Sequence, residues 1–434
     1  MNRTAIIVCL LFLLIPHTGS TLTLEEGLKI VTERGRDINI SRAEEDAARE
    51  GVGLARSPLL PRVDLYANQT WLRYQPEAIF GPASVPVAEK DSLSYGFRVH
   101  QLVYDFGRTY AMLRASRSAL KGKELDTVRT RNLAALDFTL AYLDLLESER
   151  LLKVARDEVK RFEAHLNDAR AMHEQGLVTK NDVLQAEVML SDARQSLLSA
   201  ENLRSVRASV INSLLMRPLN EEVLAEEPPV ETPYAGISLE DAWKTAVQSR
   251  AEIKALRMRI KAKNEEFRAV KAEFYPGIYL SGGYEYRENR YMVNEGNWSL
   301  LAGVRINLSS GGATRARMKM LRAELETLDL EAAKLTDAVR LEVKSAYLQL
   351  KSAGQKVGVT RQAVAQADEN LRLQRLRYQE GEGTATDVLD AIALMSRAET
   401  NYWSARYERR KAGARLLYAM GKDIAGVYGG QGRP

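Results

Sequence analysis

Two carboxylates three residues apart are the sharpest chemical signal in this sequence. Asp387 and Asp390 fall on one face of a helix, because residues i and i+3 are surface neighbours. Such a pair is either a solvated surface acid or, repeated in several chains, a ring of negative charge around a passage. Asp387 also belongs to a motif that occurs twice, Gly-x-x-Thr-x-x-Asp, as Gly176, Thr179, Asp182 and as Gly381, Thr384, Asp387. Gly suits the left-handed position that ends a helix. Thr followed three residues later by an acid reads as a capping box at the positive start of the next helix. Capping therefore accounts for Asp182 and Asp387. It does not account for Asp390, whose counterpart in the first copy is Gln185.

The remaining candidate chemistry is weak. Asp105-Phe106-Gly107 resembles a kinase metal motif, but no Gly-rich loop, strand lysine or catalytic loop accompanies it. His165 and His173 lie eight apart with no cysteine and no close third ligand, so a structural or solvent role outweighs a metal site. No Ser-His-Asp set or phosphate loop stands out. The chain is read as no enzyme, with no metal and no cofactor. Net charge is a mild +5, and no Lys/Arg run with interleaved aromatics supports nucleic-acid binding.

The elements that position these residues come in two copies. Leu24, Glu25, Lys29 and Pro61 recur 215 residues later as Leu239, Glu240, Lys244 and Pro276. Arg117, Tyr142, Leu143 and Gly176 recur 205 residues later as Arg322, Tyr347, Leu348 and Gly381. The difference falls between Pro61 and about Val99, in one loop. A match this long, differing only in a loop, is a duplicated architecture. The expected organisation is a signal peptide at 1–20, a first repeat at 21–217, an acidic Pro-rich linker at 218–236, a second repeat at 237–421 and a Gly-rich tail at 422–434. Arg3 followed by the apolar run Ala5 to Ile15 and small residues to Ser20 reads as a cleaved secretory signal. The only cysteine, Cys9, lies within it, so disulfide and thiol chemistry are not expected.

Each unit opens with two helices that stop near Ser57-Pro58 and near Tyr275-Pro276, where proline disfavours continuation. Period-two alternation follows. Val63, Leu65, Ala67 and Trp71 oppose Asp64, Asn68 and Thr70; Trp298, Leu300, Ala302, Val304, Ile306 and Leu308 oppose Ser299, Gly303, Arg305 and Asn307. These are strands of membrane-spanning length with one apolar face. The loop Gln75 to Lys90 is long and Pro-rich, as expected on the outer side of a barrel. Proline-free helices then run from about Thr109 to Glu174 and Thr314 to Glu380, each about 100 Å at ~1.5 Å per residue. Leu133, Leu136, Leu140 and Leu143 give a near-heptad stripe for helix-on-helix packing. Return helices are expected from about Asn181 to Leu215 and Thr386 to Met420.

Four strands cannot close a barrel when the smallest outer-membrane barrels have about eight, and open edges in lipid leave backbone groups unpaired. Several chains must share one barrel. At this point the whole chain resembles the TolC-type outer-membrane efflux proteins. The duplicated unit carries the resemblance, with the turns Tyr104-Asp105-Phe106-Gly107 and Ser309-Ser310-Gly311-Gly312. So does the tip motif Arg377-Tyr378-x-x-Gly381 followed by Asp387-Val388-Leu389-Asp390-Ala391.

The resemblance implies an α+β membrane protein of two tandem repeats. It would form a homotrimer sharing a twelve-stranded β-barrel and a periplasmic α-helical tunnel in a Gram-negative outer membrane. It implies a passive exit duct for efflux or type I secretion, docking to a periplasmic adaptor (membrane fusion protein) and an inner-membrane transporter. Asp387, Asp390 and Tyr378 would form the pore gate, with a packed tip aromatic as the other reading of Tyr378; Gly176, Leu177, Thr179, Asp182, Gly381 and Thr384 would meet the adaptor. The family's tip often carries a basic residue where Gly383 stands. This chain departs there, which removes the partner a tip-locking salt bridge would use. The alternative is a periplasmic structural coiled coil or adaptor, which needs no set of four alternating strands.

Overall fold

The computed structural model describes residues 21–229 and 236–429. The expected signal at 1–20 lies outside them, as do 230–235 of the expected linker and 430–434 of the tail. The described residues divide into two units, one within 1–36, 131–246 and 342–434, the other within 37–130 and 247–341.

The second unit holds the strands. Helix α2 (Arg36–Arg56) leads through a 3-10 turn containing Pro58 into β1 (Arg62–Trp71). The expected loop folds into a small hairpin, β2 (Glu77–Phe80) with β3 (Ala83–Pro86), turning at Gly81 with φ 61°. Then comes β4 (Asp91–Tyr104). In the other repeat, helices α5 (Leu239–Ser249) and α6 (Ala251–Lys271) precede β5 (Gly277–Arg287) and β6 (Gly296–Arg305). The long strands form one antiparallel sheet in the order β1-β4-β5-β6. The β4–β5 pairing joins the two repeats, from Ser94↔Arg287 to Tyr104↔Ile278. The sequence alternation runs on to Leu308, but β6 stops at Arg305, opposite Gly277. The residue before Gly277 is Pro276, which has no N–H to continue the ladder.

Register separates the two faces. Val63, Leu65, Phe97, Val99, Leu280, Tyr284, Trp298 and Leu300 share one face, whose single charged residue is Asp91, at the loop end of β4 opposite Trp71. Leu65 is 85% exposed in the single chain and Leu300 79%.

The first unit is helical: α1 (Leu24–Arg34), α4 (Lys180–Leu214), α8 (Ala385–Ala419), α9 (Ile424–Tyr428), and the later parts of α3 (Arg108–Glu174) and α7 (Ala313–Gln379). The bounds of α3, α4, α7 and α8 fall within one residue of the sequence reading. The stretch read as linker is fastened in its described part. Leu22 bridges Ala225, and Tyr142 Oη donates to Leu22 O at 2.7 Å. The Glu227 carboxylate binds Arg410 and Tyr407. Burial pushes that carboxyl up, and the hydrogen bonds from Tyr407 and Arg410 more than offset it, leaving it below the usual range. The stretch read as tail is held too. Asn132 donates to Lys422 O at 2.8 Å and accepts from Ile424 N at 3.0 Å, seating α9 through its buried Ile424.

Candidate functional site

The site is built on the ends of four helices. At the first tip, α3 stops in a Schellman turn: Gly176 takes φ 74°, its N–H donates to His173 O at 2.9 Å, and Leu177 N–H reaches Met172 O at 2.9 Å. Thr179 then caps α4, accepting from Asp182 N, while the Asp182 carboxylate accepts from Thr179 N at 2.8 Å. The second tip repeats this. Gly381 takes φ 78°, Glu382 N–H donates to Arg377 O at 2.8 Å, and Thr384 caps α8 in a reciprocal box with Asp387.

Gly383 is explained by space. A Cβ there would stand 3.1 Å from Tyr378 N and 3.3 Å from Arg377 Cβ, so the turn has little room for any side chain. The tight closure of this turn suits the glycine that stands where the family's tip often carries a basic residue.

Asp387 and Asp390 are both exposed at the start of α8. The Thr384 hydroxyl and then its backbone N–H hold the Asp387 carboxyl below the usual range, so it stays charged at neutral pH. Asp390 has no ion-pair or hydrogen-bond partner among the described residues. The two tips touch where Thr386 Oγ1 donates to Gln185 Oε1 at 3.4 Å.

Beneath the tips lies one apolar core, including Phe162, Leu166, Val183, Leu190, Leu371, Val388 and Ile392 from all four helices. A bidentate pair ties α3 to α8, from Arg161 to Glu399 at 2.8 and 3.0 Å. Tyr378, expected either at the gate or as a packed tip aromatic, takes the packed place: it lies inside this core and is 2% exposed. Its ring meets His165 at 5.2 Å between centroids. Neither Tyr378 Oη nor His165 Nε2 has a hydrogen-bond partner among the described residues. The expected site residues therefore separate. Gly176, Leu177, Thr179, Gly381, Thr384, Asp387 and Asp390 are exposed, Asp182 is half-buried, and Tyr378 supports from within. His165, read from the sequence as structural or solvent-facing and not as a metal ligand, is buried in this tip core. Its spacing with Phe162, Leu166 and Ala169 on one α3 face is the signal that places it there.

Burial holds the His165 imidazole below its ordinary value of 6.5; Asp168 opposes this, Arg375 adds to it, and Asp182 opposes it more weakly. An unfolded histidine takes up a proton below that value while the buried one resists. Tip stability should therefore fall as pH drops below about 6.5, by at most about 1.4 kcal/mol per pH unit. Hydrogen exchange of the tip helices between pH 7 and 5 should show this loss in the wild type and a flatter response in His165→Gln. Equal slopes would show that the imidazole is not the titrating group.

Comparison with known proteins gives a consistent picture. The family model described as outer membrane efflux protein matches residues 28–214 and 243–422. The toluene efflux pump outer membrane protein TtgF of Pseudomonas putida is 22% identical over 406 residues, covering 92% of this chain and 83% of the relative. The outer membrane protein TolC of Vibrio cholerae is 23% identical over 406 residues, covering 89% of each. Among solved structures, the outer-membrane channel OprN superposes with a TM-score of 0.80 at 18% identity, covering 93% of this chain and 90% of that one.

Proposed function

The chain belongs to the outer membrane efflux protein family, and from that premise we propose that it is a passive exit duct of the outer membrane. Three copies share one twelve-stranded barrel and one helical passage. An inner-membrane transporter supplies the energy, and a periplasmic adaptor meets the tips at Gly176, Leu177, Thr179, Asp182, Gly381 and Thr384. Residues 1–20 act as the export signal and are removed.

The observation that supports this most is the four-stranded sheet. Its order β1-β4-β5-β6 leaves two edges open, and its apolar face is exposed. In water such a face and such edges invite aggregation. In lipid the face is satisfied, and only pairing with further copies closes the edges.

At the tips, three copies of Asp387 and Asp390 form carboxylate rings that narrow the passage. Tyr378 holds α7 in place behind them. A narrow ring of carboxylates concentrates cations, so the resting duct passes cations in preference to anions. The test is fractionation followed by planar-bilayer recording of the purified protein. Outer-membrane location with a small cation-selective current supports the duct. A soluble periplasmic protein without current would favour a structural coiled coil instead.

A further inference from the structure

The polar face of the sheet is electrically unbalanced. Arg62, Arg98, Arg287 and Arg305 stand on it against Asp64 and Glu285. Arg62 pairs with Asp64 at 3.0 Å and Arg287 with Glu285 at 2.7 Å. Arg98 and Arg305 have no ion-pair partner among the described residues.

Arg305 lines an open cavity of about 600 Å³ within the strand-bearing unit. His100, Tyr279 and Arg305 cross the cavity wall as a ladder over β4, β5 and β6. The guanidinium lies 5.4 Å over the Tyr279 ring, and the His100 ring is 5.6 Å from that ring at a tilt of 36°. Gly303 sits directly opposite Tyr279 in the register, and a Cβ there would come within 2.4 Å of the phenol. The bare backbone at Gly303 is what lets the tyrosine lie over the sheet. Two carboxylates share the cavity, and both are engaged. Asp105 accepts from the N–H and hydroxyl of Thr109. Glu273 binds Arg108 at 3.1 Å and Arg317 at 2.9 Å. Neither pairs with Arg305.

We propose that this cavity is a binding site for planar organic anions, of the aromatic carboxylate class. The carboxylate engages the Arg305 fork, and the ring packs beside Tyr279 and His100. An unpaired cation supplies the sign, and an aromatic platform supplies the shape. Binding stands on this geometry alone; its use as a station for cargo rests on the duct reading above.

The probe is benzoate, titrated calorimetrically into the full-length purified protein in detergent. Benzyl alcohol and inorganic phosphate serve as the neutral and the non-aromatic comparison. Saturable benzoate binding is expected, weakened at least tenfold by Arg305→Gln and several-fold by Tyr279→Leu, with little binding of benzyl alcohol. Circular dichroism confirms that each variant is folded. No saturable binding by the folded wild type, or equal affinity in Arg305→Gln, would overturn the site. Phosphate binding as tight as benzoate would overturn the aromatic class. Bilayer current on the same samples reads the duct separately. Binding without current keeps the site and removes the duct, and current without binding does the reverse.

Discussion

In planar bilayers the Asp387→Ala/Asp390→Ala protein should carry a current several-fold larger than wild type and lose most of its preference for cations. The structure divides the two acids by role, which makes single variants informative. Asp387 closes the capping box of α8 with Thr384, so its loss also loosens the first turn of that helix. Asp390 makes no such bond among the described residues, so Asp390→Asn removes charge and little else. Asp390→Asn should reduce cation selectivity with helix content unchanged, whereas Asp387→Asn should change both selectivity and tip hydrogen exchange. If the double variant matches wild type in conductance and selectivity, the gate lies elsewhere.

The second large effect concerns the sheet. Leu65→Arg with Leu300→Arg places two charges on the apolar face. A cation facing lipid near the bilayer midplane costs about 2–4 kcal/mol, falling toward the interfaces. Two per chain, repeated in every chain of the proposed trimer, should abolish assembly into the outer membrane. The control pair Asn68→Arg and Ser299→Arg lies on the opposite face of the same two strands and should assemble at close to wild-type yield. The readout is the amount of assembled protein in outer-membrane fractions. Equal yields from the two pairs would mean that the apolar face does not meet lipid.

The long helices are legible in the sequence because their signals are local. Proline-free runs, a glycine at each end and a Thr-x-x-Asp start place α3, α4, α7 and α8 to within a residue. The alternating strands are legible for the same reason, and their faces emerge as expected except beyond Arg305, where Pro276 on the neighbouring strand ends the ladder. The tip acids are also readable, because comparing two copies of one motif isolates what capping does not explain, namely Asp390 against Gln185.

Other features depend on partners far apart in sequence. The sequence carries no local mark that β4 pairs with β5 across the two repeats, that Glu226 and Glu227 are pinned by Tyr142 and Arg410, or that the tail seats α9 on Asn132. Tyr378 is the clearest case. Its motif places it at the tip correctly, but its direction depends on packing against His165 of α3, far earlier in the chain, and that packing turns it into the core. Periodicity and capping are properties of a few consecutive residues, so the elements and their charges can be read directly off the chain. Which groups meet, which are buried and which cations stay unpaired follow from long-range closure of the chain, and only the fold decides them.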